Sequence, residues 1–115
     1  MNVRTRALLF DIEESAHTIR QWCVGRAFRD YQADRQFRRA VEREFEIIGE
    51  ALNRLRATDP AMASVIAELP RIVAFRNRIV HGYDTVDDAT VWGIVESHLP
   101  AMLLQVQGRR EKDGT

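Results

Sequence analysis

The sequence predicts an all-α protein, an antiparallel four-helix bundle, and three observations carry that prediction. Four segments place apolar residues at three- and four-residue spacing, the period of a helix with one buried stripe. None alternates apolar and polar residues as a half-buried strand does. Capping and breaking residues, among them Gly25, Asp34, Pro60, Pro70 and Gly82, fall between those segments. The 115 residues suit one compact helical domain, expected over 1–115, and 45% of them are hydrophobic. A core of that size is marginal, so the chain gains from oligomerisation.

The first helix is expected from about Arg4 to Val24, with Leu8, Ile12, Ile19 and Cys23 as its stripe and Gly25 as its stop. Residues 26–34 read as a polar link in which Phe28 and Tyr31 pack as anchors. The second helix, from Asp34 to Ala57, is the most strongly patterned, with Phe37, Val41, Phe45, Ile48, Leu52 and Leu55 on one face and Asp34 as its N-cap. Gly49 in its interior costs about 1 kcal/mol relative to alanine. A tight helix crossing there would explain it. Glu46 and Glu50, four apart, either orient an arginine of the third helix or form an ordinary wet face. Thr58-Asp59-Pro60 breaks the chain and starts an additional short helix near 60–67. Pro70 opens the third helix in its first turn, where a missing N–H costs nothing, and Gly82 ends it. The last helix starts between Thr85 and Asp88, carries Val91, Ile94, Val95, Leu99, Met102 and Val106, and is kinked or divided at Pro100. The tail 108–115 is expected to fray.

Composition excludes several function classes. With Cys23 as the single cysteine there is no intrachain disulfide and no cysteine-based zinc site. The apolar run Ala7 to Phe10 is too short for a signal-peptide core or a membrane span, so a cytoplasmic setting is expected. Formal net charge is zero, which argues against a whole-surface grip on nucleic acid. Of 17 basic residues all but Lys112 are arginine, the side chain suited to bidentate phosphate contacts, although GC-rich codon usage also accounts for that bias.

One string concentrates reactive groups: Arg76-Asn77-Arg78-Ile79-Val80-His81-Gly82-Tyr83. It holds a permanent cation, an amide, an imidazole and a phenol within about two helical turns. Arginine neutralises phosphate and histidine moves protons near neutral pH. By spacing alone it is a candidate site, since Arg and His at helix ends are commonly solvated or capping. At about 100° per residue, Asn77 and His81 share a face, while Arg76 and His81 are about 140° apart. Either the arginine stem wraps toward the helix end, or the site is completed across a two-fold interface. His81 sits in the final turn, where the negative end of the helix dipole favours a cation, and suits a general acid or base. Arg76 would balance charge growing on a pentacoordinate phosphate, and Asn77 would orient the ring or the substrate. That set could cleave RNA without a metal, by driving the 2′-hydroxyl onto the neighbouring phosphate.

The other candidates are weaker. His17 and His98 read as satisfied polar positions, Asp84, Asp87 and Asp88 as helix caps, and Trp22 and Trp92 as core or interface aromatics. No phosphate-cradling glycine loop, nucleophile elbow or Cys/His cluster is present.

The Arg76-to-Tyr83 string resembles the Arg-x4-His-x-Tyr motif of HepT-like proteins, in the HEPN superfamily. The run from Ala40-Val41-Glu42-Arg43 through Ile47-Ile48-Gly49-Glu50-Ala51 resembles that family's second-helix signature. Val86-Asp87 to Val91-Trp92, followed by Leu99-Pro100, is similar to its last helix. The resemblance implies a HEPN-like bundle that forms a homodimer and acts as the toxin of a type VII toxin–antitoxin pair. It implies a metal-independent ribonuclease needing no cofactor, with RNA as substrate, Arg76 and His81 as catalytic residues and Asn77 in support. Tyr83 is then the residue that a minimal nucleotidyltransferase antitoxin adenylylates with ATP to silence the toxin. The alternative implied by related helical domains is a non-catalytic partner that presents a substrate to the nucleotidyltransferase.

Overall fold

A computed structural model describes residues 1–82 and 86–114, all of whose regular elements are helical. Tyr83, Asp84 and Thr85 lie outside the described residues, so the expectations that fell on them have no structural counterpart. The helices are α1 (Val3–Cys23), α2 (Phe28–Ala33), α3 (Arg35–Thr58), α4 (Pro60–Ser64), α5 (Leu69–His81), α6 (Asp88–Gly93) and α7 (Leu99–Gly114), with a π-helical turn (Ile94–His98) joining the last two.

α3 is the central element. The Asp34 carboxylate accepts the Phe37 N–H at 3.0 Å, the N-cap its sequence announces. Val41, Phe45, Ile48, Leu52 and Leu55 are wholly buried at helical spacing. They meet Leu9, Ile12 and Ile19 of α1 on one side and Ile72 and Phe75 of α5 on the other. α1 packs in turn on α7, whose Met102 and Val106 complete the core. Thr5 near the start of α1 bonds Asp59 just beyond α3, and His17 of α1 bonds Gln107 of α7. The His17–Gln107 pair and Arg110 reaching back to Glu13 set α7 antiparallel to α1. The shortest dimension, 19 Å, is about two helix diameters.

Three details depart from the sequence expectation. The link 26–34 contains α2, because the Asp30 carboxylate accepts the Ala27 N–H at 2.7 Å and closes a first turn. Tyr31 from that turn is wholly buried, its ring 5.4 Å from Phe37 and 5.5 Å from Trp92. The short helix near 60–67 stops at Ser64; Asp59 caps it by accepting the Met62 N–H, and turns lead from there to α5. Residues 108–114 are helical, held where Arg110 pairs with Glu13 and lies over the Phe10 ring at 5.9 Å. Pro100 divides the last helix as expected, through a widened turn: Leu99 N–H reaches the Ile94 carbonyl five residues back, making room for a proline that has no N–H to donate. The start of that last segment is capped by Asp87, which accepts from the Ala89 N–H and the Thr90 hydroxyl, both at 2.8 Å. Trp92 is core, whereas Trp22 is 38% exposed. Among the described residues no helix is long and apolar enough to cross a membrane.

Candidate active site

α5 carries the motif. Pro70 lies in its first turn, Ile72, Val73 and Phe75 anchor it in the core, and Gly82 ends it. Gly82 takes φ +62°, the left-handed region that glycine reaches without penalty, while its N–H closes on the Arg78 carbonyl at 3.2 Å. His81 is therefore the last helical residue, and its side chain is exposed.

Arg76 points the other way, toward α3. A Cβ placed on Gly49 would lie 2.3 Å from both Cβ and Cγ of Arg76, so the arginine stem occupies the space that any side chain at position 49 would need. The tight crossing expected from an interior glycine is present, and its partner is the motif arginine. The guanidinium donates to Glu50 Oε2 at 3.0 Å and, through its other terminal nitrogen, to Asn77 Oδ1 at 3.0 Å. Of the two carboxylates on that face, Glu50 orients the arginine; Glu46 bonds Arg43 at 3.1 Å instead. The second Glu50 oxygen accepts from Arg54 Nε at 3.1 Å, so one carboxylate aligns two guanidinium groups. The Arg76 side chain is 21% exposed, and its Nε–H is buried with no hydrogen-bond partner among the described residues.

Beside Arg76 lies a cleft of about 390 Å³, walled by Leu8 of α1, Ile47, Glu50 and Arg54 of α3, and Val80 of α5. The fork keeps donors beyond those spent on Glu50 and Asn77, and a guanidinium has five N–H groups in all. An anion entering this cleft would meet an arginine already aimed by two fixed acceptors. That preorganisation lowers the cost of binding charge.

The second bond of the guanidinium goes to Asn77, which lies one turn before His81 on α5. The other histidines are engaged as polar positions: His17 with Gln107 at 2.9 Å, and His98 with Glu68 at 3.0 Å. Asp87 acts as a helix cap. Among the described residues no three His, Cys, Asp or Glu side chains cluster closely enough to hold a metal ion. Sequence reasoning missed how Gly49, Glu50 and Arg76 lock together. The interior glycine and the paired carboxylates were its signal, but choosing between Glu46 and Glu50 required the helix crossing angle.

Comparison with known proteins places this geometry in context. Residues 12–108 match the family described as Ribonuclease HepT-like. A protein of Methanocaldococcus jannaschii, whose name marks it provisionally as an RNase, is 29% identical over 104 residues, covering 89% of this chain and 93% of that one. A Thermococcus cleftensis protein named Probable ribonuclease HepT is 28% identical over 106 residues, covering 90% of each chain. No solved structure gives a significant match.

Proposed function

Because the chain belongs to the HepT-like ribonuclease family, we propose that it is the endoribonuclease toxin of a toxin–antitoxin pair, with Arg76 and His81 as its catalytic residues. The observation that carries this reading is the locked Arg76. A buried helix crossing, a carboxylate and an amide all hold one guanidinium at the edge of a cleft, on the helix that ends in an exposed histidine.

The chemistry follows from those groups. A 2′-hydroxyl attacks the adjacent phosphorus, the O2′–P bond forms and the P–O5′ bond breaks. An imidazole accepts the 2′-hydroxyl proton, and an imidazolium donates a proton to the departing 5′-oxygen. Arg76 stabilises the extra negative charge on the equatorial oxygens as it develops. The products are a 2′,3′-cyclic phosphate and a 5′-hydroxyl, with no metal required. Each protomer offers one histidine in this motif, so a homodimer with the site near its two-fold axis would supply separate acid and base. Val80, 44% exposed on α5 and lining the Arg76 cleft, is an apolar side chain that such an interface would cover.

Silencing by a minimal nucleotidyltransferase would act at Tyr83, two residues beyond His81. Transfer of an adenylyl group from ATP forms a bond between the phenolic oxygen and the α-phosphorus, and pyrophosphate leaves. The added phosphodiester would carry fixed negative charge two residues along the chain from His81 and repel RNA.

The test is cleavage of RNA by purified protein in EDTA, with Tyr83 verified unmodified by mass and His81→Ala prepared identically. Cleavage by the wild type alone is expected. Equal cleavage by both proteins would remove His81 from the chemistry. No cleavage by either would favour a helical partner that presents substrate to the nucleotidyltransferase.

A further inference from the structure

α5 carries two further arginines on the flank turned away from Glu50. Arg71 and Arg78 are seven residues apart, hence on one face two turns apart. They border a groove of about 420 Å³ between α5 and the segment formed by α6 and the π-helical turn. Phe75 and Ile94, both nearly buried, make its floor apolar. Gly93 lines it as well, and a Cβ there would meet none of the described residues within 4 Å, so they leave the groove open at that point. The far wall carries His98, whose Nδ1 is fixed by Glu68 at 3.0 Å. The π-helical turn that accommodates Pro100 brings this histidine to the groove.

We propose that this groove is a nucleotide subsite of the ribonuclease, taking the residue of single-stranded RNA next to the scissile phosphate. The inference rests on the ribonuclease reading above. Three features favour RNA as the occupant. The volume lies in the range of small-ligand pockets, about 300–1,000 Å³, and suits one nucleotide. An apolar floor beneath guanidinium groups matches a base and ribose beneath their phosphates. The groove also adjoins the catalytic ridge: at about 100° per residue, His81 lies roughly 60° around α5 from Arg78, against roughly 140° from Arg76. A strand crossing the end of α5 over His81 therefore has Arg76 on one side and Arg78 with Arg71 on the other. The carboxylates facing these arginines do not cancel them. Among the described residues, Glu68 stands 4.0 Å from an Arg71 that is 63% exposed, a spacing at which solvent weakens the pair, and Asp87, which feels the charge of Arg78, is engaged as a helix cap.

The experiment measures binding of a fluorescent ten-nucleotide single-stranded RNA, fully 2′-O-methylated so that the attacking oxygen is blocked, by anisotropy across a salt series. Wild type is compared with Arg71→Ala/Arg78→Ala, with Gly93→Leu, which fills the groove without touching a charge, and with Arg29→Ala/Arg35→Ala as a charge-matched control on α2 and α3. The control should bind as wild type does. The double arginine variant should bind at least tenfold more weakly, and the slope of log affinity against log salt should become shallower by about 1.4, for two phosphate contacts at about 0.7 each. Gly93→Leu should also lose at least tenfold. If wild type binds and both groove variants match it, the subsite is wrong and the ribonuclease reading stands. An arginine effect without a Gly93→Leu effect overturns the subsite too, since the arginines would then act as surface charge. If wild type neither binds this RNA at low salt nor cleaves unmodified RNA, the ribonuclease reading fails and the inference falls with it.

Discussion

Gly49→Ala puts the lock on Arg76 to a direct test, because two physical effects of opposite sign meet at one methyl group. Alanine in a helix interior is favoured over glycine by about 1 kcal/mol. Against this, the new Cβ would lie 2.3 Å from Cβ and Cγ of Arg76, more than 1 Å inside the usual carbon–carbon contact of about 3.5–4.0 Å. Rotating the arginine relieves the Cγ contact but not the Cβ contact, which is tied to the α5 backbone. The two helices must therefore separate where Ile48, Leu52, Ile72 and Phe75 are buried. Overpacking a core costs about 1–3 kcal/mol, and a forced helix separation belongs at the upper end. The expected net is a loss of about 2 kcal/mol, or roughly 8 °C in Tm for a chain of this size. Gly93→Ala is the matched control: its Cβ meets none of the described residues and its backbone is helical, so it should gain about 0.5–1 kcal/mol. Thermal and urea unfolding of the three proteins measures both. A Gly49→Ala protein as stable as Gly93→Ala would refute the close packing of Arg76 on α3, and with it the account of how that arginine is aimed.

Two further outcomes follow from the same contacts. Glu50→Gln keeps a hydrogen-bond acceptor for Arg76 but removes the charge; kcat for RNA cleavage should fall on the order of tenfold as the guanidinium loosens, while KM stays level or drops, since deleting a carboxylate cannot weaken attraction for an anion. An unchanged kcat would deny Glu50 a positioning role. Away from the site, the hydrogen bond from Arg110 holds the Glu13 carboxyl below its ordinary value of 4.5. A depressed folded-state pKa contributes stability that is present above the unfolded value and lost as pH falls through the folded one. Tm should therefore drop more steeply below about pH 4.5 in the wild type than in Glu13→Gln, and parallel curves would show that the pair contributes nothing.

The helical architecture was legible because periodicity and capping are local. The stripe from Phe37 to Leu55, the Asp34 cap and Pro70 in the first turn of α5 each follow from residues within a turn or two of one another. α2 was illegible for the opposite reason: a six-residue helix has little propensity signal, and what holds it is Tyr31 buried against Phe37 and Trp92, the latter 61 positions away along the chain. The widened turn before Pro100 shows both sides. Proline announces a disturbance, but packing decides whether the helix bends, stops or takes in an extra residue.

For the candidate site, the sequence by itself determined the inventory and the order: Arg76, Asn77 and His81 on one helix, a glycine to end that helix, and a second helix with a glycine beside a carboxylate. The tertiary structure alone decided which carboxylate meets the arginine, that Gly49 exists to admit the Arg76 stem, and that Arg71 and Arg78 border a groove on the opposite flank. The physical reason is range. Spacing along a helix follows from 3.6 residues per turn, whereas a contact between helices depends on how two surfaces settle at the crossing, where one methyl group changes the answer.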